Sequence, residues 1–288
     1  MSGPEAIGID IGGTNLRVAR VAASGAILAS VCERISRDPW AALERIIALA
    51  HEVDGGGVEG LGVGIPGRVD AASRRVLSGG FINLADVALA ERLEAAIGKP
   101  VVLDCDCNMA LIAELRAGAA RGCRDAVMLT IGTGIGGAIA LDGVIARGRG
   151  SAGQLGHLTV DVGGLPCACG RRGCVETTSS GTALGRLIGE AGLAADTRIE
   201  ALLDGTAGDA GTRVLTAWIA PLRAAIDSLV AAADPEIVLL GGGLGGAACR
   251  ALVLAPAASE WYRSPVVAAA LGDDAGGVGA ALSALPER

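Results

Sequence analysis

Asp10-Ile11-Gly12-Gly13-Thr14-Asn15-Leu16-Arg17 and Thr130-Ile131-Gly132-Thr133-Gly134-Ile135-Gly136-Gly137 are the two stretches on which the fold turns. Each follows a short apolar strand candidate, residues 6–11 and 125–130. Each leads into a segment suited to a second strand, residues 16–22 and 136–141. A third strand completes each meander, 25–33 after Ser24-Gly25 and 144–147 after Asp142-Gly143, a strong two-residue hairpin signal. The same glycine turn in the same place predicts a duplicated α/β architecture, two lobes around a central cleft. Helical periodicity adds residues 39–53, with Pro39 in the first turn, then 86–97, with Asp86 as N-cap, then 106–120, 212–233 and 277–285. Further strands are expected at 58–65, 100–103 and 236–240.

Composition removes several function classes. The chain has 288 residues, 51% hydrophobic and 19% charged, with a net charge of −7. Disorder is excluded by the apolar content, and nucleic-acid or anionic-membrane binding is disfavoured by the sign of the charge. Charges interrupt every apolar run long enough to span a bilayer, so no membrane partner is expected. Residues 1–5 show no basic stretch leading into an apolar core, so no secretory signal is expected. Lys99 is the only lysine and Pro100 follows it, which excludes a Walker A loop and the strand lysine of protein kinases. Eight cysteines, clustered rather than evenly paired, favour reduced thiols or metal ligands in the cytoplasm.

The glycine loops carry the first chemical signal. Residues 132–137 formally match a dinucleotide fingerprint, but a strand follows where that motif requires a helix. The alternatives are a plain hairpin turn and a turn whose N–H groups, with Thr133, cradle phosphate oxygens. In the first loop, Asp10 at a strand end, then Gly12, Gly13 and Thr14, supplies an anion for Mg²⁺ and bare backbone for phosphates. Gly241, Gly242 and Gly243 follow an apolar strand and allow a flat ring close to the backbone.

His157, Cys167, Cys169 and Cys174 form the sharpest single pattern. One imidazole and three thiolates fill a zinc tetrahedron and leave no open position, which makes the site structural. The plainer alternative is reduced cysteines packed as small hydrophobes, but a Gly- and Pro-rich loop offers them little core. Asp106 follows a strand and opens a helix, where the helix dipole favours its ionised form. Read from the residues alone, it is an N-cap worth about 1 kcal/mol.

Taken together, Asp10-x-Gly12-Gly13-Thr14-x-x-Arg17, Gly64-Ile65-Pro66-Gly67, Asp106-x-Asn108 with Glu114, Gly132-Thr133-Gly134-x-Gly136-Gly137 and the cysteine segment resemble the ROK sugar kinases. The resemblance runs from Ile7 to Leu285 and implies the duplicated actin-like (ribonuclease H-like) ATPase fold. It implies an ATP-dependent kinase acting on a hexose or hexosamine at O6, with Asp106 as base and Mg²⁺ near Asp10. It implies phosphate contacts from Gly12, Gly13, Thr14, Thr133 and Gly134, and adenine beside Gly241, Gly242 and Gly243. The family's zinc ligands correspond to His157, Cys167, Cys169 and Cys174, and its sugar contacts to Asn83, Cys105, Asp106, Gln154, His157 and Glu176. A homodimer is expected. The first glycine loop begins at Asp10, leaving no room for the preceding helix-turn-helix of the family's repressors, so the kinase branch is expected over a non-catalytic, sugar-responsive regulatory protein.

Two positions depart from the family pattern. Cys105 stands where the family usually has Asn, and Gln154 where it usually has Glu, both sugar contacts. A thiol is a poor hydrogen-bonding group and Gln is uncharged, so a glucose preference is in question. The segment 153–157 through 174–176 resembles that of both N-acetylmannosamine kinases and glucokinases, and because the former vary more at the Gln154 position the resemblance implies the N-acetylmannosamine-like sugar. No low-complexity linker is visible, so the lobe boundary is expected as a hinge near residue 105. The lobes are then residues 1–104 with 274–288, and residues 105–273, which hold a zinc loop at 153–176.

Overall fold

The computed structural model describes residues 3–79, 82–261 and 263–286. The chain begins with β1 (Glu5–Ile11), β2 (Asn15–Ala22) and β3 (Ile27–Arg34), an antiparallel meander. Helix α1 (Pro39–Val53) follows, then β4 (Leu61–Ile65), which runs parallel to β1. A hairpin of β5 (Gly67–Asp70) and β6 (Arg75–Gly79) leads to α2 (Leu89–Ile97), β7 (Val101–Cys105) and α3 (Asp106–Ala117). The first sheet has the order β3-β2-β1-β4-β7.

The pattern then recurs. A second meander is made by β8 (Ala126–Ile131), β9 (Ile135–Leu141) and β10 (Val144–Ile145). After a 3₁₀ turn at Leu155–His157 come α4 (Glu176–Ser179), α5 (Gly181–Glu190), α6 (Ile199–Leu203) and α7 (Gly208–Ala233). Strand β11 (Ile237–Gly241) is parallel to β8; α8 (Gly245–Ala251) and β12 (Val266–Ala268) follow, and α9 (Ala275–Ser283) ends the described elements. The second sheet has the order β10-β9-β8-β11-β12. Both sheets therefore read third, second, first, fourth, fifth strand, the duplicated actin-like order anticipated from the two glycine turns.

Contacts divide the chain into two compact units, Met1–Gly122 with Ile145–Gly153 and Asp273–Arg288, and Cys123–Val144 with Gln154–Gly272. The expected boundary near residue 105 falls inside the first unit. The reason is packing: α3, which begins at Asp106, lies against α9 within that unit. Residues 145–153 also join it, through Arg147 to Asp104 and through the close approach of Gly150 to the Val69 carbonyl.

Local rules explain the regular parts. Asp38 caps α1, its Oδ1 accepting from the N–H groups of Trp40 and Ala41 at 3.0 and 2.7 Å, with Pro39 at the first position. Buried Ala42, Leu43, Ile46, Leu49, Ala50 and Val53 form one helical stripe against the first sheet. In the second unit α7 supplies the core face, Val214, Leu215, Trp218, Ile219 and Leu222 among it. The buried Trp218 indole donates to the Ser180 carbonyl at 3.0 Å, so its polar edge is satisfied. Helix α2 starts at Leu89 rather than Asp86. Ala88, in a left-handed conformation, takes the cap position, and Asp86 is left exposed in the preceding turn.

The closest packing in the first unit is backbone on backbone. A Cβ on Gly8 of β1 would collide with the Gly277 carbonyl of α9, and one on Gly62 of β4 with the Ala280 carbonyl. A Cβ on Gly279 would collide with the Met109 carbonyl of α3. Glycine is required at these three places by space, and the helix α9 carries Gly276, Gly277 and Gly279 despite their poor helix propensity. Gly8→Ala should therefore destabilise the protein by about 1–3 kcal/mol or more, as overpacking does. Gly185→Ala, exposed in α5 with open space around its Cβ, should stabilise it by about 0.5–1 kcal/mol. Urea unfolding of both variants checks the pair; equal, small effects would contradict the packing described.

Candidate active site and metal cluster

The C-terminal end of β1 carries Asp10 into the first unit's chemical centre. Helix α9 comes down over it so closely that a Cβ on Gly276 would lie 2.6 Å from the Asp10 Cγ. Burial pushes the Asp10 carboxyl up to about 7, the negative charge of Asp106 adding to the rise and Arg17 opposing it. Arg17, on β2, is itself paired with Asp273 at 3.1 Å. Asp106 opens α3, where strand β7 ends at Cys105. Its Oδ1 accepts from the Cys107 N–H at 2.8 Å and from the Cys105 thiol at 3.2 Å. Burial pushes the Asp106 pKa up, and these hydrogen bonds pull in the opposite direction.

A second carboxylate supports this turn, and the sequence reading did not single it out. Asp104 is 2% exposed. It accepts from Arg147 Nε at 2.7 Å, from Asn108 Nδ2 at 2.7 Å and from the Cys105 N–H at 2.7 Å. A buried carboxylate needs such partners, and these three fix the geometry of the β7–α3 junction. The signal available in sequence was a charged residue inside an apolar strand; its partner Arg147, 43 residues away, was not legible. Glu114, fully buried on α3, accepts from the Ala119 N–H at 2.7 Å and holds the turn beyond the helix.

The remaining first-unit candidates lie on turns. Gly12 donates to the Asn15 carbonyl at 2.8 Å, closing the β1–β2 turn, while Gly13 and Thr14 are exposed and a Cβ on Gly13 would meet nothing. Asn83 is exposed and its Oδ1 accepts from the Ala85 N–H at 3.1 Å.

The second unit gathers the other candidates. In the β8–β9 turn Gly132 donates to the Gly134 carbonyl at 2.9 Å, and the Thr133 carbonyl accepts the Thr182 hydroxyl at 2.8 Å. The Glu176 carboxylate sits on this turn, its Oε2 accepting from the Ile135 N–H at 3.0 Å. A cavity of about 430 Å³ is lined by Thr133, Gly134, Glu176, Cys167 and Arg186, among others. At the end of β11, Gly242 has φ +73° and presses against Ile131, so the position requires glycine; Gly243 beside it is open. Gln154 directly precedes the 3₁₀ turn that carries His157.

His157, Cys167, Cys169 and Cys174 bring their ligand atoms within 4.8 Å of one another. Cys167 Sγ is 3.5 Å from His157 Nδ1, and Cys169 Sγ is 3.6 Å from Cys174 Sγ. On a tetrahedral zinc, with bonds of about 2.0–2.3 Å, neighbouring ligand atoms lie about 3.5–3.8 Å apart, so the donor set fits. The loop is built for this approach. Cys167 N–H donates to the Arg171 carbonyl at 2.8 Å, and Gly170 N–H to the Cys167 carbonyl at 3.0 Å. Gly173, at φ +67°, touches the Asp161 backbone where no side chain fits. Hydrogen bonds from Arg171 draw the Cys169 thiol down to about 6, toward the thiolate a metal needs.

Two copies of one strand order, each opening on a glycine turn, define a protein of the actin-like ATPase fold. The ROK family model matches residues 6–286, and the chain belongs to the ROK family. A glucokinase from Halalkalibacterium halodurans is 32% identical, over 95% of this chain and 92% of that protein. An N-acetylmannosamine kinase from Yersinia pestis is 34% identical, over 96% of this chain and 97% of that protein. Among solved structures, a ROK family glucokinase from Streptomyces griseus in complex with glucose and AMPPNP superposes with a TM-score of 0.79. It is 31% identical and covers 96% of this chain and 98% of that one.

The Asp10 carboxyl gives a pH-dependent expectation. A carboxyl raised in the folded state holds its proton longer than in the unfolded chain. Its contribution therefore favours folding below the unfolded value near 4 and is lost as pH rises through about 7. In Mg²⁺-free buffer Asp10→Asn should raise Tm at about pH 8, by about 2–4 °C per kcal/mol recovered. The gain should shrink toward about pH 4. Thermal melts across that range check it; a gain independent of pH would contradict the burial described.

Proposed function

We propose that this chain is an ATP-dependent sugar kinase that phosphorylates a hexose or hexosamine at O6. The observation that carries the reading is Asp106, a carboxylate held at the start of α3 in the field of a neighbouring, partly buried carboxylate, Asp10. The relatives named glucokinase and N-acetylmannosamine kinase, and the AMPPNP complex, support the same class.

In this reading Asp106 orients the acceptor hydroxyl and takes its proton. A base works best when its pKa lies near the working pH, and burial moves Asp106 in that direction. Oδ1 accepts from the Cys105 thiol and the Cys107 N–H, which holds the carboxylate in place at the start of α3. Asp104, tied to Arg147 and Asn108, keeps the β7–α3 junction from drifting. Mg²⁺, when bound with nucleotide, neutralises phosphate charge; Asp10 would hold it through water. Gly12, Gly13 and Thr14 of the first unit, and Thr133 and Gly134 of the second, offer N–H and hydroxyl groups to phosphates. Gly241, Gly242 and Gly243 offer bare backbone to adenine. Asn83, Cys105 and Asp106, with Gln154, His157 and Glu176, bind the sugar.

The zinc cluster of His157, Cys167, Cys169 and Cys174 is structural in this reading. It fixes the imidazole and, through the loop, the Glu176 carboxylate. Cys105 and Gln154 weaken the grip on two ring substituents, so the cognate sugar differs from glucose where these residues face it; the N-acetylmannosamine kinase among the relatives makes that sugar the first candidate. The protein works as a homodimer in the cytoplasm.

Steady-state kinetics over glucose, mannose, N-acetylglucosamine and N-acetylmannosamine test the activity and name the sugar. On the best sugar, Asp106→Asn should keep sugar binding and lose ~10²-fold or more in kcat. Near-normal turnover in that variant would remove Asp106 from the chemistry, and ATP hydrolysis or sugar binding without transfer would favour a regulatory protein. Elemental analysis should find about one zinc per chain. Cys169→Ser should release it and lower Tm, since a metal of this kind is coupled to folding of its loop. A zinc-free protein of full stability would contradict the assignment.

A further inference from the structure

Two cysteines flank Asp106, and the proposed chemistry uses neither thiol as a metal ligand. In an extended strand, neighbouring side chains would alternate. Here β7 ends at Cys105 and α3 begins at Asp106, and the change of backbone turns both thiols toward one carboxylate. The Cys105 thiol lies 3.2 Å from Asp106 Oδ1, and the Cys107 thiol also hydrogen bonds to Asp106. The three donor atoms lie within 4.8 Å of one another. The same Cys-x-Cys spacing supplies Cys167 and Cys169 to the cluster of the second unit, so the spacing is compatible with shared ligation.

We propose that Cys105, Asp106 and Cys107 form a second metal site, selective for a soft divalent cation of the Zn²⁺ and Cd²⁺ kind, and that an ion bound there occupies the carboxylate needed for catalysis. The inhibitory half of this statement rests on Asp106 being the base; the binding half does not. Two thiol protons leave to solvent, two sulfurs and one carboxylate oxygen bind the ion, and the fourth tetrahedral position stays open to water. With bonds of about 2.3 Å to sulfur and 2.0 Å to oxygen, the S···O edge of such a site is about 3.5 Å. The 3.2 Å contact is already close to that edge. Thiolates select soft ions, whereas Mg²⁺ prefers oxygen and water, so the site discriminates against the magnesium of the proposed reaction. Asp10 adds a further negative charge nearby, through its coulombic coupling to Asp106. Cys105 is half-buried, which leaves the site reachable from solvent, and Cys107 is buried beneath it.

The test uses the full chain with its His157 cluster loaded with Cd²⁺. Equilibrium dialysis against Cd²⁺ should give about two ions per chain, one at the His157 cluster and one at Cys105, Asp106 and Cys107. The count should fall to one in Cys105→Ser and in Cys107→Ser, and should stay at two in the exposed Cys32→Ser control. On wild type, alkylation with N-ethylmaleimide followed by peptide mass spectrometry should show Cys105 protected by Zn²⁺ or Cd²⁺, but not by Mg²⁺, with Cys32 labelled throughout. This footprint needs no variant and so stands if a substitution fails to fold. Inhibition of turnover by Zn²⁺ should be relieved by sugar and by a chelator. Its inhibition constant should rise at least about tenfold in either serine variant, since even outer partners of a metal are worth that much. A single Cd²⁺ per chain, or Cys105 labelled equally with and without the ion, would overturn the site. An ion bound and protective but without effect on turnover would leave the site standing and remove Asp106 from catalysis. Absence of turnover on every sugar would sink the kinase reading while dialysis and footprint still decide the site.

Discussion

Helix α9 meets β1, β4 and α3 with backbone against backbone at three glycines, and the first unit's chemistry depends on that contact. Gly8, Gly62 and Gly279 leave no room for a Cβ, so the helix backbone lies directly against β1, β4 and α3 there. Arg116 of α3 adds hydrogen bonds to the carbonyls of Leu282, Leu285 and Pro286 at its far end. The near end of the helix then lies close over Asp10, and the turn before it brings Asp273 to Arg17. Desolvation is what raises the Asp10 carboxyl, and a carboxyl so raised is poised to trade its proton for a cation. Close packing and electrostatics are here one device: a helix of small residues buys the burial that tunes the acid.

The second unit solves a different problem with different means. Its loop of 153–176 is too rich in glycine and proline to hold itself by apolar burial, and four metal-type ligands converge in it instead. The loop hands over to α4, whose first residue is Glu176, and the carboxylate is then bonded to the β8–β9 turn. A ligand cluster, a short helix and a glycine turn are thereby tied in sequence. Behind them α7 and Trp218 supply the apolar mass, and the indole bond to Ser180 fixes the start of α5.

Much of this was legible in the amino-acid sequence, and what was not has physical reasons. The two glycine turns revealed the duplication, because a turn between strands admits few residue types. Helix α1 was readable to the residue, since Pro39 in the first turn and an apolar stripe agree. The β5–β6 hairpin was missed because its strands are short and bury only Val69 and Val76, which leaves no alternation to read. Helices α5 and α8 were missed because Gly181, Gly185, Gly189, Gly245 and Gly246 argue against helix, and tertiary burial of Leu184, Ile188 and Ala248 overrules them. The cluster of His157, Cys167, Cys169 and Cys174 was visible from spacing alone. The Asp104–Arg147 pair was not, since only the folded chain brings its partners together. The lobe boundary was misplaced for a similar reason: a strand-to-helix junction at residue 105 looks like a hinge until α3 is seen packed on α9.

The central claim is transfer of a phosphoryl group from ATP to a sugar hydroxyl. Proton-detected phosphorus NMR of a reaction mixture containing the purified protein, Mg-ATP and each candidate sugar in turn tests it most directly. One sugar should yield ADP and a sugar phosphate in equal amounts, with the phosphorus coupled to the protons on C6. Formation of inorganic phosphate without sugar phosphate, or no nucleotide turnover with any sugar while the protein remains folded and zinc-loaded, would contradict the account.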